Sequence, residues 1–67
     1  MEELLSEREA EVLKLVAEGL TNEEIAERLI ITKATAKTHL HRIMSKLRMR
    51  TRGKLIAWFY NHGRIST

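Results

Sequence analysis

Apolar residues recur along this chain at helical spacing. Val12, Leu13 and Val16 form one stripe, Ile25, Ala26 and Leu29 a second, and Ala36, Leu40, Ile43 and Leu47 a third. At about 100° per residue the members of each stripe share one face. A last group, Leu55, Ile56 and Phe59, falls on the inward side of a fourth segment. Start and stop signals frame these stripes. Ser6 with Glu9 and Thr21 with Glu24 fit the capping box S/T-x-x-E, in which hydroxyl and carboxylate satisfy each other's backbone amides. Thr32 and Thr51 stand where an N-cap is needed, and Gly19 and Gly63 where a helix would stop. The pattern predicts helices over about 7–18, 22–29, 33–47 and 52–61, an all-α four-helix bundle forming one domain over residues 1–67.

Helices two and three carry the most information. A short helix, the three-residue turn "IIT" and a longer helix make a helix-turn-helix unit. Ala26 suits its crossing point, where a large side chain would hold the helices apart. A generic helical hairpin has the same pattern, so geometry alone leaves both readings open.

Charge separates them. All nine acids precede residue 30, against three bases there, a formal −6; from Ile30 onward stand nine bases and no acid, a formal +9. An acid-free basic half of 38 residues is the footprint expected of a polyanion partner. A solvated surface is the alternative reading. The third helix sharpens the point. Opposite its apolar stripe lie Ala34, Thr38, His41 and Ser45, flanked by Lys37 and Arg42. This face is small near its start, cationic at its edges and free of carboxylates, as entry into a major groove about 12 Å wide requires. Lys37 offers a donor to guanine or phosphate, Thr38 a hydroxyl and a methyl, His41 a donor to a base acceptor. His39 falls nearer the apolar edge and reads as structural, and Thr32 as a cap.

The rest of the composition excludes more than it proposes. A domain this size buries only about 60 % of its unfolded surface, which leaves little room for an internal active site. There is no cysteine and no aspartate. His39 and His41 are two residues apart on a helix, so they face different ways and do not jointly chelate a metal. Neither a metal nor a cofactor is expected, and an enzyme has no nucleophile–base pair to work with. No apolar run is long enough to cross a bilayer, and "MEELLSERE" lacks a basic leader. These features predict a soluble cytoplasmic protein.

The motifs L-[ST]-x-R-E (Leu5–Glu9), E-V-L-x-L (Glu11–Leu15), G-L-[ST]-N-x-E-I-A (Gly19–Ala26), T-x-K-x-H (Thr35–His39) and K-L-x-[MV]-x-[ST]-R (Lys46–Arg52) stand in register along the chain. Together they resemble the LuxR/FixJ-type (GerE- or NarL-type) DNA-binding domain of bacterial transcription regulators over about Leu5 to Gly63. The resemblance implies that helix three reads the major groove of promoter DNA through Lys37, Thr38 and His41. Thr21 and Asn22 at the start of helix two would meet phosphates, with Thr35, Arg42, Lys46 and Arg52 near them. Helix four would supply a homodimer contact through Trp58 and Tyr60. For Trp58 the other reading, folding back over a thin core, stays open. RNA polymerase is a further partner such regulators address. The absence of aspartate means no receiver-type phosphoacceptor, so an isolated output domain and a stand-alone regulator are both expected forms.

The chain departs from the family pattern at several positions. Ala36 stands for a usual valine, Ala34 for a basic or small polar residue, and Glu23 often has a lysine counterpart. Arg48 replaces a frequent glycine after helix three, which puts a left-handed cap there in question, because a side chain strains in that conformation. Gly53 weakens the start of helix four. Two rivals of a binding class remain beside this reading. One is a helical protein-interaction module, in which the basic half meets an acidic protein. The other is a sigma-factor region 4-like promoter-binding domain, which "LSERE…EEIAERL" also fits; the fourth helix argues against it, since that domain normally ends on its recognition helix.

Overall fold

The computed structural model describes residues 5–63; Glu2, Glu3 and Arg64 of the charge partition lie outside them. Every regular element among the described residues is helical, with no strand. Helix α1 spans Glu7–Ala17, α2 Asn22–Leu29, α3 Lys33–Leu47 and α4 Arg52–Trp58, followed by a π-helical turn Phe59–Gly63. The all-α bundle with a helix-turn-helix at α2–α3 is therefore present, and three of the four helices keep the expected bounds to within a residue.

Each start is chemically determined. Both capping boxes form: Ser6 Oγ accepts from the Glu9 amide at 3.1 Å while Glu9 accepts from the Ser6 amide at 3.0 Å, and Thr21 and Glu24 repeat this at 3.2 and 2.8 Å. Thr32 caps the Thr35 amide at 3.0 Å and Thr51 the Lys54 amide at 3.1 Å. Replacing such a cap by alanine costs about 1 kcal/mol.

The ends share one device. After α1, the Gly19 amide donates to Val16 and the Leu20 amide to Leu15, with Gly19 at φ +95°. This is the Schellman arrangement, which closes a helix on a left-handed residue. The same paired bonds close α2, from Ile30 to Glu27 and Ile31 to Ala26, and α3, from Arg48 to Ser45 and Met49 to Met44. Here the left-handed residues are Ile30 (φ 56°, ψ 52°) and Arg48 (φ 58°, ψ 41°). The cap that Arg48 called into question does form, without glycine.

The core joins all four helices. Val12 and Val16 of α1, Ile25 of α2, Ile43 of α3 and Leu55 of α4 are completely buried, each contributing about 1.5–3 kcal/mol of apolar transfer. Ala26 and Ala36 are both buried in this cluster, which lets the helix-turn-helix pair pack closely. The expected end of the last helix is revised. Regular α-helix stops at Trp58, and the wider turn that follows brings the Tyr60 hydroxyl to the Ala17 carbonyl at 2.8 Å, so that it donates a hydrogen bond to the C-terminal end of α1. Phe59 packs edge-on against the Tyr60 ring, 5.6 Å between centroids.

Candidate nucleic-acid interface

Helix α3 is held by one face and leaves the other to solvent. Ala36, Leu40, Ile43 and Leu47 are buried; His39 and Met44 are half-buried at the edges; Ala34, Thr35, Lys37, Thr38, His41, Arg42 and Ser45 are exposed. The 15-residue helix is about 22 Å long, ample for a groove crossing. Lys37 and Thr38 lie near its N-terminal end and His41 one turn further, so the three candidate base-reading residues share one exposed surface. Among the described residues, no hydrogen bond or ion pair holds the side chains of Lys37, His41 or Arg42. Thr38 is different. Its hydroxyl donates to the Ala34 carbonyl at 3.0 Å, which commits its proton inward and leaves lone pairs and a methyl group to face outward. Thr35 accepts from the Thr32 hydroxyl at 2.9 Å, extending the cap.

The start of α2 lies beside this surface. A cleft of about 420 Å³ is lined by Thr21, Asn22, Glu23 and Lys33 together with Gly19, Leu20 and Arg52. The Thr21–Glu24 box satisfies two of the end amides of α2. Those of Asn22 and Glu23 have no partner within the helix, as at any helix start, and the helix dipole adds positive potential there. Arg52, arriving from α4, donates to the Leu20 carbonyl at 2.6 Å and to Asn22 Oδ1 at 3.1 Å. It thereby pins the α1–α2 turn on which Thr21 and Asn22 sit.

Two of the residues expected near phosphate thus already hold protein acceptors. Arg52 is one; Lys46 is the other, its Nζ 2.6 Å from Glu9 Oε1. Glu9 is 4 % exposed. The hydrogen bond from Lys46, and next the one from the Ser6 amide, hold its carboxyl below the ordinary glutamate range despite burial, which acts the other way. The Glu9–Lys46 tie joins α1 to α3.

Lys33 and its pairing with Glu23 (Nζ to Oε2, 3.4 Å) did not emerge from the sequence. Its position directly after the cap Thr32 was the available signal, since the first residue of the entering helix borders whatever that helix meets. At the other end of the domain, Tyr60 is half-exposed and bonded to Ala17, and Trp58 is half-buried and packs against the core.

A short helix crossed by a longer one, with a basic and acid-free exposed face on the second, defines a helix-turn-helix domain. The chain belongs to the luxR family of bacterial regulatory proteins, whose family model matches residues 3–59. It is 43% identical over 63 residues to the response regulator protein VraR of Staphylococcus aureus, and equally to the proteins of that name in Staphylococcus saprophyticus and Staphylococcus epidermidis. The match covers 94% of this chain and 30% of each relative, so the chain spans under a third of their length. Membership makes this a DNA-binding domain of the transcription-regulator class, a class of regulators rather than enzymes. No helix among the described residues is long and apolar enough to cross a membrane.

Proposed function

We propose that this domain binds promoter DNA sequence-specifically, with α3 in the major groove and Lys37, Thr38 and His41 meeting the bases. The observation that carries this reading is the exposed face of α3, where these residues and Arg42 stand together without a carboxylate. Lys37 suits guanine O6 and N7. Thr38, with its proton spent on Ala34, suits a base amino group or the thymine methyl. His41 donates to a base acceptor. The amides of Asn22 and Glu23, with Thr21, Asn22, Thr35 and Arg42, take the flanking phosphates, because a helix start is suited to an anion. Lys46 and Arg52 lie near the backbone while holding Glu9 and the α1–α2 turn. On DNA two copies pair through α4 and the turn that follows it, with Trp58 and Tyr60 at the contact, and the domain serves as the output unit of a cytoplasmic response regulator that addresses RNA polymerase.

Selection of bound duplexes from a random pool tests the reading, because it returns sequence, symmetry and half-site spacing together. An inverted repeat supports the dimer. A pool that emerges unenriched overturns sequence-specific binding. On the selected site, Lys37→Ala is expected to weaken binding by about 1–3 kcal/mol and relax preference at one position. Equal weakening on all sequences would reassign Lys37 to phosphate.

A further inference from the structure

The cleft at the start of α2 holds a carboxylate where an anion partner would arrive. Glu23 is the second residue of α2 and Lys33 the first of α3, and their side chains, 72% and 64% exposed, pair across the helix-turn-helix at 3.4 Å. Thr21, Asn22 and Arg52 line the same cleft. An exposed pair of this kind adds little to folding stability. Its consequence is electrostatic. The Glu23 carboxylate sits in the first turn of α2, where the helix end favours negative charge, and it also engages the ammonium nearest the start of α3. A phosphate entering the cleft would use both attractions.

We propose that Glu23 is an internal stand-in for a DNA phosphate. It holds Lys33 and the positive end of α2 in the free protein, and the DNA backbone must displace it. This rests on the DNA-binding reading above and names a residue that sets its strength. Phosphate attraction is blind to sequence, so a carboxylate that lowers it reduces binding to every duplex alike. The base contacts of α3 then carry a larger share of the binding energy.

The test is a double-mutant cycle read against salt. Binding of the wild type, Glu23→Gln, Lys33→Met and the double variant is measured on a selected duplex and on a scrambled one, between about 50 and 200 mM salt. Glu11→Gln on α1 removes the same charge away from the cleft and serves as control. Glu23→Gln is expected to bind both duplexes about 3–10-fold more tightly, with log K falling more steeply against log salt by about 0.9, the increment for one further phosphate neutralised. Lys33→Met is expected to change wild-type affinity less than about twofold, yet to abolish the gain in the Glu23→Gln background, as coupled neighbours do. Thermal melts of each variant check that the fold is kept. A Glu23→Gln gain no larger than that of Glu11→Gln overturns the proposal, as does a Lys33→Met loss equal in both backgrounds; either leaves the DNA-binding reading intact. Absence of salt-dependent duplex binding by the wild type overturns both.

Discussion

Ile30 provides a sharp test of the physical account of the helix-turn-helix turn. It occupies the left-handed region at φ 56°, ψ 52°, where an L-residue costs about 1–2 kcal/mol and a β-branched one is a true outlier. Its side chain is 90% exposed, so removing it sacrifices almost no buried apolar area. Ile30→Gly therefore releases the full backbone strain. Against this stands the greater freedom of glycine in the unfolded chain, about 0.5–1 kcal/mol. The difference is a net stabilisation of about 0.5–1 kcal/mol. For a domain of this size that raises Tm by roughly 2–8 °C. Ile30→Asn, which tolerates the conformation with less unfolded-state entropy, should match or exceed it, and Ile30→Val should change nothing. Reversible melts followed by far-ultraviolet circular dichroism measure all three. If Ile30→Gly instead melts several degrees below the wild type, the side chain must be making contacts that outweigh the strain, and the turn geometry described here is wrong.

Two further outcomes follow from the ties made by Lys46 and Arg52. Lys46→Met leaves the buried Glu9 carboxylate without its cation and should destabilise the domain by about 1–2 kcal/mol at neutral pH. The depressed Glu9 pKa adds stability that is present above the unfolded glutamate value and lost as pH falls through the lower folded value; in the variant this acid-side loss should shrink, and a stability–pH curve parallel to the wild type would refute the tie. Arg52→Lys keeps the charge but not the fork that reaches both Leu20 and Asn22, so chemical denaturation should show a loss of about 1–2 kcal/mol, whereas an unchanged midpoint would mean the clamp does not hold the turn.

The starts of all four helices were legible because each rests on a local pair three residues apart, hydroxyl to amide. The ends of the first three helices also fall within a residue of where the sequence put them, but the left-handed closures that make two of them were not legible, for a reason the three Schellman arrangements make plain. Glycine is the sequence sign of a left-handed residue, and it works at Gly19. At Ile30 and Arg48 there is no such sign. What the three closures share is the following residue: Leu20, Ile31 and Met49 are each partly buried and packed on the core. The apolar anchor after the turn, with the burial it gains, holds the chain in a conformation the turn residue itself disfavours. Propensity at one position could not reveal this, because the decisive contact is tertiary. The end of α4 was illegible in the same way. Nothing local stops a helix at Trp58, and the widened turn beyond it is tied to α1 by Tyr60, 43 residues from its partner.

The exposed face of α3 was readable from periodicity and charge alone, but the assignment of its cations was not. A tally of nine bases from Ile30 onward treats them as equal in the field a polyanion meets. The fold divides them. Lys33 is paired with Glu23 and Lys46 with Glu9, so two acids of the N-terminal half are brought back against bases of the C-terminal half and cancel them locally. Arg52 keeps its charge but spends donors on Leu20 and Asn22. Lys37 and Arg42 on α3 carry neither restraint. The effective positive charge offered to DNA is thus smaller than the sequence suggests, and among the described residues the bases left without a protein partner are Lys37 and Arg42 on α3 with Arg48, Arg50 and Lys54 in and after the turn that follows it. Since each neutralised phosphate contributes about 0.9 to the salt slope, binding by one copy should show a slope well short of the value that the full complement of bases would give.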